Sequence, residues 1–223
     1  MRQLALPFVR RPEYRGADFI AAASNAEARA WLARAEDWPD GRLALAGDTG
    51  CGKTHLLSLW AGGADAVWEG PFLRGLPAFS GPRLALDDAD SHPDEAALLH
   101  LLNHARETGI RLLLAGRTPP ARWPVRLPDL ASRLRAVTTV VIGAAEDDLL
   151  AALLARLFAE RQLNVSALVQ DFLLTHLPRT PAALREAVAR LDRRALALGG
   201  RISRPLAASV VAELADPTEA DER

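Results

Sequence analysis

Apolar positions fall into short runs separated by glycine, proline and charge, and the runs alternate between two spacings. Arg42-Leu43-Ala44-Leu45-Ala46 is a mostly apolar run of strand length, and His55-Leu56-Leu57-Ser58-Leu59-Trp60 carries apolar residues at helical spacing. Ala66-Val67-Trp68 reads as a second strand and Gly70–Pro82 as a loop with one short helical turn. Leu84-Ala85-Leu86 is a third strand, running into Asp87-Asp88. Between Glu95 and Glu107, Ala96, Ala97, Leu98, Leu101, Leu102 and Ala105 form the apolar stripe of a helix that Gly109 ends. Arg111–Gly116 is the next buried strand, broken by Arg117-Thr118-Pro119-Pro120, and Val137–Ile142 is a β-branched one. An earlier helix is expected over Ala26–Ala35, with Ser24 or Asn25 as N-cap and Glu27 and Glu36 on it.

Strand–helix–strand alternation predicts an α/β fold, a parallel sheet with helices on its faces. Residues 143–148 mark a change of pattern, beyond which only helices are expected, over 147–161, 166–176, 181–198 and 205–214. Pro181 and Pro205 sit in first turns, which tolerate proline. The expected organisation is an apolar N-terminal peptide (1–12), an α/β domain (13–143), a small helical domain (144–215) and a polar tail (216–223).

Composition narrows the classes. The chain has 223 residues, 49% hydrophobic and 25% charged, enough apolar material for a sizeable core. Its 27 basic and 28 acidic residues leave a formal charge of −1, which does not favour holding DNA by bulk electrostatics. One cysteine, Cys51, excludes an internal disulfide and suits a reducing compartment. There is no run of about 18 apolar residues and no signal-peptide pattern, so a cytoplasmic protein without membrane contact is expected.

Chemistry concentrates in Gly47-Asp48-Thr49-Gly50-Cys51-Gly52-Lys53-Thr54, which fits the phosphate-cradling pattern G-x-x-x-x-G-K-[ST] between a predicted strand and a predicted helix. Glycines let the backbone wrap an anion with its N–H groups inward, and the next helix adds its positive end. In such a loop Lys53 reaches the β/γ-phosphates and the Thr54 hydroxyl ligates Mg²⁺. Asp87, ending a buried strand, is the second candidate metal ligand, and Asp88 the candidate for orienting an attacking water. In isolation the acidic pair would read as a helix cap or turn; with the glycine loop in the same chain, a nucleotide site with ATP or ADP is the stronger reading. His92, His100 and His104 lack metal-like partners in the sequence and are taken as structural.

An α/β nucleotide domain followed by a small helical lid resembles the AAA+ arrangement, and within it the DnaA group of replication initiators and their short Hda relatives. Four stretches carry the resemblance: Gly47–His55, Leu84–Asp88, Arg117–Pro120 and Leu127–Leu134 (Leu-Pro-Asp-Leu-Ala-Ser-Arg-Leu). The resemblance implies that His55 and the segment Asp18–Asn25, including Ile20, border the nucleotide. It also implies that Arg133 is an arginine finger offered in trans to a nucleotide on a neighbouring subunit, an act that stabilises transition-state charge. The alternative for Arg133 is a pair with a carboxylate of its own helix. The N-terminal Gln3-Leu4-Ala5-Leu6-Pro7-Phe8 resembles the peptides by which bacterial proteins bind the replication sliding clamp, with Gln3, Leu4, Leu6, Pro7 and Phe8 as anchors. Its alternative is an edge strand packed on its own domain.

The resemblance therefore implies a clamp-tethered regulator that stimulates hydrolysis of DnaA-bound ATP, with homodimers or oligomers allowed and no sequence-specific DNA binding. Three departures point to weak or no hydrolysis by the chain itself. Ala115 and Gly116 stand where relatives carry a polar sensor, and Ala182 stands where the lid should carry an arginine, leaving Arg179 or Arg185 as substitutes. The segment between Lys53 and Asp87 is also short for DNA-gripping helices. The competing function is an autonomous ATPase of the helicase-loader type.

Overall fold

The computed structural model describes residues 19–62, 67–75, 81–91, 94–198 and 201–215. Five parallel strands form its sheet: β1 (Arg42–Ala46), β2 (Val67–Glu69), β3 (Arg83–Asp87), β4 (Arg111–Gly116) and β5 (Thr138–Val141), in the order β2-β3-β4-β1-β5. The central strands read as near-continuous Leu and Ala because helices cover both faces, so neither face tolerates a polar side chain. β1 is buried at all five positions.

Alternate residues of each strand enter different cores, as the pleat requires. On one face Ala44, Leu84, Leu86, Leu112 and Leu114 meet α3 (Glu95–Thr108) and α4 (Pro128–Arg135) through Leu98, Leu101, Leu102, Leu130 and Leu134. On the other, Leu43, Leu45, Ala85, Leu113 and Val140 meet α1 (Ala26–Ala33) and α2 (Lys53–Ala61) through Ala28, Leu56, Leu57 and Trp60. Trp60 stacks on Trp38, ring centres 4.9 Å apart. A third core is built entirely from residues 145–214. It is a bundle of α5 (Asp147–Glu160), α6 (Ala167–His176), α7 (Pro181–Leu198) and α8 (Arg204–Ala215). No described helix is long and apolar enough to cross a membrane.

The topology positions the site. α2, which follows β1, packs on one face, while α4, which follows the neighbouring β4, packs on the other. The two loops therefore part at the carboxyl edge of the sheet and open a crevice there. At the opposite edge three strands begin with arginine: Arg42, Arg83 and Arg111. Helix C-termini gather at that edge, where cations are favoured. Arg83 shows the reason: its Nη1 donates to the Trp60 carbonyl in the last turn of α2 at 3.0 Å.

Two expectations need correction. α1 ends at Ala33, with Glu36 in a separate 3-10 turn at Ala35–Asp37. Neither Ser24 nor Asn25 caps α1 with its side chain, because both are engaged elsewhere. The Asn25 side chain closes its own loop, accepting from Ala22 N at 3.2 Å and donating to the Ile20 carbonyl at 3.0 Å. The Ser24 hydroxyl donates to Glu146.

α3 is capped by a side chain: Asp94 Oδ1 accepts from Ala96 N at 3.0 Å and Ala97 N at 3.1 Å. Asp94→Ala is expected to lower the unfolding free energy by about 1 kcal/mol. Urea unfolding checks this: the midpoint should fall while the slope stays unchanged.

Candidate functional site

The residues after β1 turn sharply because two of them occupy the left-handed region, Gly50 at φ 80° and Gly52 at φ 105°. Side chains there would be strained. Gly47 is small for another reason: a Cβ on it would lie 2.9 Å from Cys51 Sγ and 3.0 Å from the Ile142 carbonyl oxygen. Its N–H donates to the Gly116 carbonyl at 3.3 Å, so the loop starts by bonding across to the end of β4.

Lys53 opens α2 and is buried; its Nζ donates to the carbonyls of Gly47 at 2.7 Å and Asp48 at 2.9 Å. A cation resting on two neutral carbonyls inside a turn of backbone amides is poised for an anionic acceptor. Thr54 Oγ1 donates to Asp87 Oδ2 at 2.5 Å, joining the two halves of the motif across 33 residues of sequence. Burial pushes the Asp87 carboxyl above its ordinary value, opposed by the bonds from Thr54 and the Asp88 amide. A part-buried hydroxyl–carboxylate pair is a donor set that fits a hard divalent cation. Among the described residues no cluster of three or more His, Cys, Asp or Glu side chains could hold a metal. A cation at Thr54 and Asp87 would therefore keep water and phosphate oxygens as further ligands, as Mg²⁺ does.

Asp88 follows in a left-handed conformation, φ 45°, with its side chain exposed at the carboxyl edge. Asp90, two residues further, was not singled out from sequence. Its Oδ2 accepts from Arg117 N at 2.6 Å, and a Cβ on Gly116 would lie 2.9 Å from its Cγ. Gly116 is thus small because the Asp90 carboxylate fills the space in front of it. Burial raises the Cys51 thiol above its ordinary value, more than Lys53 lowers it, so Cys51 stays a protonated thiol.

The segment ahead of the first helix reaches the loop through Phe19 rather than Ile20. Phe19 Cε2 lies 3.7 Å from where a Cβ on Gly52 would stand, and its ring meets His55 edge-on, centres 5.1 Å apart. Ile20 contributes its carbonyl to Asn25. From the bundle, Ala182 comes to Gly50: a Cβ on Gly50 would lie 3.2 Å from both its N and Cβ. Arg133 lies on α4, half-buried, paired with Asp129 one turn earlier at 3.2 Å. The peptide Gln3, Leu4, Leu6, Pro7 and Phe8 lies outside the described residues, as does His92.

Another contact joins the segment to the bundle. Glu146, at the N-cap position of α5, takes the Ser24 N–H at 2.5 Å and the Ser24 hydroxyl at 2.9 Å, while Gly143 N donates to the Ser24 carbonyl at 3.0 Å. No sequence signal marks this pairing, since 122 residues separate its partners.

A glycine loop follows a central parallel strand, an acidic pair ends another, and a helical bundle lies against the loop, an arrangement found in solved α/β folds. Domain III of the Thermotoga maritima replication initiation protein DnaA is similar, with a TM-score of 0.73 at 17% identity over 93% of this chain and 99% of that one. AMPPCP-bound DnaA from Aquifex aeolicus is similar at a TM-score of 0.62 and 18% identity, over 80% of this chain and 65% of that chain. The Thermotoga maritima RuvB Holliday junction branch migration motor gives 0.62 at 19% identity, over 87% and 68%. The chain thus spans just under two thirds of the Aquifex aeolicus DnaA chain. No family model and no curated protein matches the sequence. The likeness is one of fold.

The Ser24–Glu146 contact yields a pH prediction. The Glu146 carboxyl is held below its ordinary value of 4.5, first by its own amide and then by the Ser24 hydroxyl. A lowered folded-state value adds stability above the unfolded value, and that stability is lost as the pH falls through the folded one. Glu146→Gln should therefore be less stable than wild type at pH 7. The deficit should shrink as the pH falls below 4.5, in urea unfolding followed across pH.

Proposed function

We propose that this chain binds an adenine nucleotide with Mg²⁺ and regulates replication initiation in the manner of the Hda proteins: tethered to the sliding clamp, it stimulates hydrolysis of DnaA-bound ATP. The observation that carries the nucleotide reading is the 2.5 Å Thr54–Asp87 bond beside a Lys53 resting on loop carbonyls. Mg²⁺, when bound, neutralises phosphate charge. Thr54 and Asp87 would hold it. The Gly50–Lys53 amides and the N-terminus of α2 would bind the phosphates. Lys53 would exchange the carbonyls of Gly47 and Asp48 for phosphate oxygens, a stronger, charge-assisted partner. Phe19 and His55 would border the nucleotide on the other side of Gly52.

Support for a regulator over an autonomous ATPase comes from the carboxyl edge of β4. Ala115 and Gly116 offer no side-chain donor there, and the group that occupies the space, Asp90, is a carboxylate with no N–H to give. Asp88 could orient a water, yet no described side-chain donor from β4 would meet the charge that develops. Arg133 remains the group offered to a neighbour. Its bond to Asp129 is an exposed i,i+4 pair of the sort worth a few tenths of a kcal/mol, weak enough for a nucleotide's phosphate to displace. Support for clamp tethering is the resemblance of residues 3–8 to clamp-binding peptides.

Two outcomes are expected. Lys53→Ala should abolish retention of ADP and ATP in equilibrium dialysis while the fold survives by circular dichroism. In ATP turnover by DnaA with DNA-loaded clamp, the wild-type chain should stimulate hydrolysis, and Arg133→Ala should remove most of that stimulation, a finger being worth roughly a thousandfold or more. Rapid ATP turnover by the purified chain alone would favour the autonomous enzyme instead.

A further inference from the structure

The helix that carries Arg133 has no cap of its own. The N-cap position of α4 is Leu127, whose side chain accepts no hydrogen bond, and its first residue is Pro128, which has no N–H. In a capping box a Glu or Gln three positions past the N-cap takes the N-cap N–H; here that residue is Leu130, wholly buried in the core. The missing acceptor comes from another helix. Glu95, the first residue of α3, accepts from Leu127 N through Oε2 at 2.8 Å, and both its oxygens accept from Arg126 N, at 2.9 and 3.0 Å. It is available because Asp94 already caps α3. The Glu95 carboxylate therefore lies between the N-terminal ends of two helices, where an acidic group is favoured. A second carboxylate from the same side holds the other end of the β4–α4 connection, Asp90 accepting from Arg117 N. Leu130 and Leu134 seat α4 against the core but stand one turn apart, so the N-terminal end of this short helix is fixed by Glu95.

We propose that Glu95 is the positioning residue for Arg133: by holding the N-terminal end of α4, it sets the line along which the guanidinium reaches a nucleotide on a neighbouring molecule. The proposal rests on the reading of Arg133 as a finger offered in trans. Arg133 stands in the second turn of α4, so a tilt at the capped end is carried through to it. Its pair with Asp129 restrains the side chain only within the helix, since both residues ride on α4. Beyond the core leucines, the hold on α4 as a body comes from Glu95. A finger acts through placement, and a displacement of about 1 Å can cost as much as a hundredfold in rate. Glu95 thus bears on hydrolysis without touching the nucleotide.

The test is ATP turnover by DnaA with DNA-loaded clamp, titrated with wild type, Glu95→Ala, Glu95→Gln and Val210→Ala. Val210→Ala opens a cavity in the separate core of the bundle and serves as the destabilised control. Glu95→Ala should lower the maximal stimulation about tenfold, while the concentration of chain that gives half of it stays within about twofold of wild type. The split follows because the finger acts in the transition state, whereas docking is assigned to residues 3–8. Glu95→Gln, which keeps one acceptor oxygen at the same reach, should recover most of the loss, and Val210→Ala should keep the wild-type maximum. Hydrogen exchange followed by NMR on the chain alone should show the Arg126 and Leu127 amides exchanging faster in Glu95→Ala. A maximum for Glu95→Ala within about twofold of wild type, an equal loss in Val210→Ala, or unchanged exchange at Arg126 and Leu127 would overturn the proposal while leaving the finger reading intact. A wild-type chain that stimulates no hydrolysis would overturn the finger reading and this one together.

Discussion

β1 is buried on both faces and paired on both edges, by β4 and β5, and that double enclosure governs the site. A strand so enclosed can leave the sheet only at its carboxyl end, and the backbone that follows must satisfy its polar groups without strand partners. Here the bond from Gly47 N to the Gly116 carbonyl closes the first gap. Lys53 satisfies the next carbonyls, and the glycines at 50 and 52 supply a turn that other residues would adopt only under strain. A glycine-rich turn and a buried cation are thus by-products of ending a central strand in a tight turn onto a helix.

The acidic side of the crevice has its own cause. β3 pairs with β4 and ends in Asp87, whose carboxylate would be costly in that buried place without the Thr54 hydroxyl and the Asp88 amide. Its raised pKa records a cost that those two bonds only partly offset. Such a carboxylate gains from a neighbouring positive charge more than an exposed one would. The neighbouring Asp90 occupies the space that a side chain at 116 would need, so Ala115 and Gly116 add no side-chain donor at the end of β4.

The bundle completes the cradle from outside. Its core is separate, yet it touches the α/β part at chemically different points: Arg185 and Ala182 over Gly50, and Glu146 on Ser24. The Ser24 segment continues through the Asn25 loop to Phe19, which lies against Gly52 and His55. The glycine loop is therefore flanked on one side by the bundle directly and on the other by a segment that the bundle holds. Changes at the loop and changes in the bundle's orientation share the same few contacts, which is the physical requirement for coupling between them.

Much of this was legible in the sequence. Strand-length runs of Leu and Ala between glycines read as buried strands, so the α/β class, the placement of residues 47–54 between a strand and a helix, and Asp87 at the end of a strand followed from local pattern alone. The helical run after residue 147 was equally plain, because periodicity and tolerated prolines are local properties. What the chain could not reveal locally was anything set by contacts distant along it. Ser24 and Asn25 look like caps, since capping chemistry is local, but one spends its hydroxyl on Glu146 and the other its amide on Ile20. The roles of Asp90, Phe19 and Gly116, and the choice of Arg185 over Arg179 at the loop, depend on which elements the sheet order and the bundle bring together. Periodicity states which face of an element is buried; only the packed structure decides what that face meets.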